Sequence, residues 1–135
     1  GVTDIVVGLQ ENSASRKKAE AEGLTVMTPA EATKWADVVM ILVPDEKQAV
    51  LWANEIEPHV EPGMHINAAG ANSIGRRELD NAAVTRCSII VADAKDQAML
   101  ECADLAVPIG TGLLKWDPVL ELGQVGTQRH SEHQI

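Results

Sequence analysis

The sequence predicts an α/β fold with a mostly parallel sheet covered on both faces. Three observations carry that expectation. Short apolar, β-branched runs recur along the chain, at residues 5–9, 24–26, 37–43, 65–68 and 88–91. Stretches with helix caps separate them, as crossover connections between parallel strands require. The strongest runs are continuously apolar rather than alternating, the pattern of strands buried on both faces.

Taken in order, Ile5-Val6-Val7-Gly8-Leu9 reads as the first strand. Ser13 is then the expected N-cap of a helix over 14–22, with Gly23 as its C′ residue. Its apolar face is mostly Ala, so it is the weakest helix of the set. Leu24-Thr25-Val26 is a short strand, and Thr28-Pro29-Ala30-Glu31 combines a capping box with Pro at the first helical position. That helix ends near Trp35-Ala36. The run 37–43 is the clearest strand, stopped by Pro44, and Asp45 with Gln48 can cap the next helix. Ala49, Trp52, Ala53 and Ile56 recur there at helical spacing and predict one buried face, ended by Pro58. His65-Ile66-Asn67-Ala68 is a further strand leading into a turn at residues 70–73. Asp80 caps a short helix to Arg86, residues 88–91 form a strand, and Asp93 caps a helix through Cys102. Trp116, Asp117 and Pro118 mark a last helical turn, and the final dozen residues form a polar tail.

Composition narrows the function. The chain has 135 residues, a formal charge of −9, three Trp and neither Phe nor Tyr. That charge repels phosphate backbones, and three rings cannot build a base-stacking platform, so nucleic acid is excluded as a partner. No apolar run reaches the roughly 20 residues that span a bilayer, and no signal-peptide pattern opens the chain. Cys87 and Cys102 lack metal-ligand spacing and read as thiols of a reducing, cytoplasmic setting. The chain has no initiator Met and is inside an apolar run by residue 7, which points to a fragment, a processed product or an engineered hybrid.

In parallel sheets ligands bind outside the carboxyl ends of the strands. The most informative such end is Leu9-Gln10-Glu11-Asn12-Ser13-Ala14-Ser15-Arg16-Lys17-Lys18. A dinucleotide fold selective for a free ribose 2′-hydroxyl places Asp or Glu at the strand end. Here Gln10 stands at that end, followed by two hydroxyls, a helix N-terminus and three cations, which is anion-binding chemistry. The competing reading is a capped surface helix with a solvated basic run.

Residues 1–62 resemble the NADPH domain of ketol-acid reductoisomerases. The likeness runs from Gly8-Leu9-Gln10 through Lys17-Lys18-Ala19-Glu20, residues 36–46 and Glu55-Ile56-Glu57-Pro58. The resemblance implies that Ser13 and Ser15 hold the adenosine 2′-phosphate, with Gln10 standing where the family usually has Arg. Arg16 adds a cation to the same loop, and Val43-Pro44-Asp45 matches the segment beside the cofactor. From residue 63 the chain resembles the ornithine cyclodeaminase/mu-crystallin family, through Gly63-Met64-His65-Ile66-Asn67-Ala68-Ala69-Gly70-Ala71-Asn72-Ser73, Arg76-Arg77-Glu78-Leu79-Asp80, Val91-Ala92-Asp93, Gln97-Ala98 and Glu121-Leu122-Gly123. That likeness adds Gly70 and Asn72 to the expected cofactor contacts. Cyclodeaminases typically carry an Asp at the position of Asn72; an amide cannot act as general acid or base, so deaminase chemistry is not expected.

No Gly-x-Gly-x-x-Gly occurs in the 135 residues; Gly123-Gln124-Val125-Gly126 lacks the close first glycine pair and a following helix. His65 lies inside a strand rather than at its carboxyl end and is expected to be structural. His59, His130 and His133 carry no motif, and Asp93 and Asp96 suit the positive end of a helix dipole. The expectation is therefore one Rossmann-like three-layer domain over 1–135, with a reductoisomerase-like half at 1–62, a cyclodeaminase-like half at 63–122 and a tail at 123–135. The reductoisomerase resemblance implies that residues 5–9 stand as the second strand of the family's sheet and 38–43 as the fourth, so that the family's first strand and its Gly-rich loop are missing from the chain. Its expected function is that of an NADP-binding fragment of an oxidoreductase acting on small keto or amino acids, incomplete for catalysis and without a metal. The alternative is a non-catalytic scaffold or interaction module. In the strand order 3-2-1-4-5-6, the missing strand leaves a gap of roughly 10 Å between residues 5–9 and 38–43. Direct pairing of these runs, or a strand donated by a partner or a second copy, would close it; the third outcome is a fold only partly formed.

Overall fold

The computed structural model describes residues 2–43, 45–70 and 75–125, the side chains of 45 and 46 excepted. The order is β1 (Val6–Gly8), α1 (Arg16–Ala21), β2 (Thr25–Met27), α2 (Pro29–Trp35) and β3 (Val38–Ile41). α3 (Asp45–Leu51) runs on through a wide π turn, Trp52–Ile56, and a 3-10 turn, Glu57–His59, before β4 (His65–Ala68). α4 (Asn81–Arg86), β5 (Val91–Ala92), α5 (Lys95–Glu101), α6 (Ala103–Gly110) and β6 (Leu120–Glu121) follow. The chain divides into two compact units, the first within residues 1–42 and 50–69, the second within 43–49 and 70–135.

All strand pairs are parallel, as expected of an α/β chain. Among the described residues they form three two-stranded sheets rather than one continuous sheet. β1 pairs with β2, Val6 opposite Thr25 and Gly8 opposite Met27. β3 pairs with β4, Val38 opposite His65 and Ile41 opposite Ala68. The direct pairing of the first apolar run with 38–43 is therefore not formed. β1 and β3 each pair instead with the strand that follows them in the chain, the connection with the shorter loop to close.

In the first unit the local signals are mostly obeyed. Thr28 and Glu31 form the complete capping box, and the Thr33 hydroxyl donates to the Pro29 carbonyl at 2.8 Å. α1 buries no residue, in keeping with its thin Ala face. It starts later than expected: Ser15, not Ser13, occupies the N-cap, because the Ser13 hydroxyl accepts the Ser15 amide and holds the chain in a turn. Its end is a Schellman motif. Leu24 N–H donates to the Ala19 carbonyl and Gly23 N–H to that of Glu20, with Gly23 at φ +80°. Of the four residues expected on the buried face of the next helix, Trp52 and Ile56 are buried but Ala49 and Ala53 are exposed. The widened π turn rotates the face away from the α-helical register. In the second unit the Gln48 side-chain amide donates to the Val43 carbonyl at 2.7 Å, and the cap expected of Asp45 rests on a side chain outside the described residues.

α2 packs directly on β1. A Cβ on Gly8 would stand 3.3 Å from the Pro29 Cα and 3.4 Å from the Ala32 Cβ, so glycine permits this approach.

The second unit is built on Val84, Ala92, Ala98, Leu105 and Val119, with Leu79, Ile90, Ile109 and Trp116 packed around them. Asp80 caps α4 as expected, its carboxylate accepting from Ala83 N–H at 2.7 Å. Three expectations change. Asp93 does not cap α5; its carboxylate accepts from Ala94 N–H, and Ala94 takes the cap position. The strand expected at 88–91 shrinks to Val91–Ala92, with Ile89 exposed. The turn at Trp116 feeds β6 rather than a helix, Val119 N–H donating to the Trp116 carbonyl, and β6 pairs with β5. α6 has no counterpart in the sequence reading; it accommodates Pro108 inside the helix. The expected tail beyond residue 125 lies outside the described residues.

Replacing Gly8 with Val forces a branched side chain against the α2 backbone. We expect Gly8→Val to cost roughly 1–3 kcal/mol of stability in thermal denaturation. An unchanged melting temperature would show that α2 does not rest on β1 as described.

Candidate functional site

The loop after β1 is held by its own backbone. Leu9 N–H donates to the Met27 carbonyl at 2.9 Å, extending the ladder one step, so Gln10 is the first residue beyond it. Ser13 N–H donates to the Gln10 carbonyl at 2.9 Å, and Arg16 N–H to the Ser13 carbonyl at 3.1 Å. Gln10, Ser13, Ser15 and Arg16 lie in this one short loop. The Ser15 side chain is exposed and makes no capping bond. Arg16 Nη1 lies 3.6 Å from Glu20 Oε1, a surface pair loose enough to exchange for a stronger anion. Glu31 is also within the field of Arg16; its carboxyl is held below the usual range chiefly by bonds from the Thr28 backbone and hydroxyl. The Gln10 side-chain amide donates to the Glu55 carboxylate.

The remaining expected contacts fall in the second unit or outside the described residues. Val43 is half-buried and its carbonyl accepts from Gln48. Pro44 and Asn72 lie outside the described residues, and Asp45 is described only by its backbone, at the start of α3. Gly70 is half-buried against Gln48 and Glu78, where an added Cβ would collide with both side chains.

Sequence reading missed the buried polar group around Gly70. Glu78, Asp104 and Gln48 are 1%, 4% and 3% exposed. Asp104 accepts from Glu78 N–H at 3.0 Å and Leu79 N–H at 3.3 Å, and Arg77 Nε stands 3.7 Å away. Burial nevertheless pushes the Asp104 carboxyl up, because the amides and Arg77 offset only part of the desolvation. Burial likewise pushes Glu78 up, helped by the Asp104 charge; the Gly70 backbone and Gln48 amide act against it. Among the described residues neither Glu78 carboxylate oxygen has a hydrogen-bond partner of good geometry. Gly70 packs directly against this carboxyl, and a Cβ there would collide with it. His65, at the exposed start of β4, donates its N–H to the Asp37 carbonyl. Among the described residues no group of His, Cys, Asp or Glu is arranged to hold a metal, and no helix is long and apolar enough to cross a membrane. An open depression of about 600 Å³, lined by Thr25, Val26, Met27, Glu31, Lys34 and Trp35, contains none of the expected residues.

A family model for the acetohydroxy acid isomeroreductase NADPH-binding domain matches residues 1–101. The ketol-acid reductoisomerase (NADP(+)) of Kineococcus radiotolerans is 60% identical over 60 residues, 44% of this chain and 18% of that protein. That of Rhodococcus opacus is 55% identical over 60 residues, again 44% and 18%. The chain thus spans about 18% of the length of these curated relatives. A solved structure of an NADH-preferring ketol-acid reductoisomerase from an uncultured archean covers 86% of this chain and 43% of its own. Its TM-score is 0.50 at 21% identity, a likeness of fold.

The two buried carboxyls fix the sign of a pH effect. A group whose folded pKa is raised stabilises the fold below its unfolded value and loses that contribution as pH rises through the folded value. The second unit is therefore expected to be most stable near or below pH 4.5, the free Glu value, as far as these groups decide it, and to weaken toward neutrality. Glu78→Gln removes the ionisation and should add roughly 1 kcal/mol at pH 7. Amide exchange at Val84 and Leu105 reads it; equal protection in both proteins at pH 7 would contradict the assignment.

Proposed function

The chain belongs to the acetohydroxy acid isomeroreductase NADPH-binding domain family, and from that premise we propose that its β1 loop receives the adenosine end of NADP. The observation that carries this reading is the turn that gathers Ser13, Ser15 and Arg16 immediately beyond a parallel strand. Two hydroxyls, a displaceable guanidinium and the backbone amides of a tight turn suit a phosphate monoester. Bound there, the cofactor would supply hydride-transfer chemistry; this chain's own part is to hold and orient its adenosine end. Val43, Pro44, Asp45, Gly70 and Asn72 form the second proposed set of contacts. The pyrophosphate has no Gly-rich turn to meet within the 135 residues.

The whole protein's activity, on this reading, is that of an NADP-linked oxidoreductase acting on small keto acids. The match through residue 101 favours the reductoisomerase reading over the cyclodeaminase one for residues 63–101. The exposed apolar side chains Val38, Met40 and Leu42 around β3 support the second reading, in which the chain also serves as a scaffold that joins another chain or copy. Neither ketol-acid reductoisomerase nor ornithine cyclodeaminase turnover is expected from the 135 residues alone; turnover by a purified sample would contradict this.

Calorimetry tests the cofactor site. NADPH should bind more tightly than NADH, by about 1–2 kcal/mol, since charge-assisted bonds at an exposed loop are diluted by solvent. The double change Ser13→Asp with Ser15→Asp should reverse the order. Equal affinities in the unaltered chain would overturn the reading.

A further inference from the structure

We propose that Glu55 is a specificity-determining residue, opposing the cofactor's 2′-phosphate from across the β1 loop; this rests on the reading of residues 10–16 as the adenosine site. In dinucleotide folds a carboxylate at the end of the strand favours a free 2′-hydroxyl and repels a 2′-phosphate. The sequence has no acid at that position, since the strand ends in Leu9-Gln10. The fold supplies one from 45 residues away. Glu55 sits in the π turn after α3, and its carboxylate accepts the Gln10 side-chain amide.

Two consequences follow from that bond. It occupies a Gln10 N–H that a phosphate oxygen would otherwise receive. It also sets a full negative charge one side chain from the turn that Ser13 N–H closes on the Gln10 carbonyl. The turn that carries Glu55 is held in place, because Trp52 and Ile56 in it are each only 4% exposed and α2 packs against it. No cation offsets it: among the described residues Glu55 has no ion-pair partner, and Arg16 turns to Glu20. An Arg introduced at position 10 would meet the same carboxylate and be partly neutralised by it.

Calorimetric titration of the 135-residue chain with NADPH and with NADH, at low and at high salt, tests the proposal. Glu55→Gln keeps the size of the side chain and removes its charge. It should raise the ratio of the NADH to the NADPH dissociation constant by about threefold to tenfold at low ionic strength. The gain should shrink at roughly 0.5 M salt, which a loss of packing would not cause. The Ser13→Asp, Ser15→Asp protein separates the two levels of the argument. If that protein lowers the ratio while Glu55→Gln leaves it unchanged, the role of Glu55 is overturned and the loop remains the site. If neither variant moves the ratio, or the chain binds neither cofactor, the site reading fails and the role of Glu55 falls with it.

Discussion

The close approach of α2 to Gly8 is the constraint on which the first unit depends. With no side chain at that position, the first turn of α2 lies directly on β1, and Thr28, Pro29 and Glu31 fix where that turn begins. The opposite flank of the dependence is the π turn, which packs on α2 through a segment anchored by Trp52 and Ile56. The contact between Gln10 and Glu55 is thus set by backbone packing two steps away. A surface hydrogen bond of this kind has little stability of its own. Its geometry is inherited from the core, which is why a change at Gly8 should reach the loop after β1 without touching it.

The second unit spends stability on polarity. Two carboxyls and an amide are buried around Gly70, and the Asp104 carboxylate is satisfied mainly by two backbone amides. Those bonds fix the segment at Glu78 and Leu79 against α6, where few apolar contacts would do so uniquely. Removing Asp104 would leave both amides buried and unpaired, a loss of stability, whereas removing the Glu78 charge is a gain at neutral pH. The arrangement trades stability at neutral pH for one defined path of the chain after Gly70.

Much of the local structure was legible in the sequence. The Thr28 capping box, the Asp80 cap, the Gly23 helix end and the strand at His65–Ala68 are local devices, each decided within about six residues, and each stands as read. What failed was decided at longer range. Nothing in the spacing announces the extra residue of the π turn over Trp52–Ile56, in which Ala53 lies exposed. β6 is two residues long and exists only through its pairing with β5, so no pattern could mark it. The same distinction holds at the site. Gln10, Ser13, Ser15 and Arg16 are close in sequence and were found together, whereas Glu55 and the Glu78–Asp104 group depend on contacts 45 and 26 residues apart.

The central claim is that the turn after β1 recognises the adenosine 2′-phosphate. Backbone amide chemical shifts, followed while adenosine 2′,5′-bisphosphate and then adenosine 5′-monophosphate are added to the labelled chain, test it most directly. The account predicts that the bisphosphate moves the amides of Ser13, Ser15 and Arg16 most and that the monophosphate moves them far less. Shifts centred instead on Thr25, Val26 and Trp35, or equal responses to the two nucleotides, would contradict it.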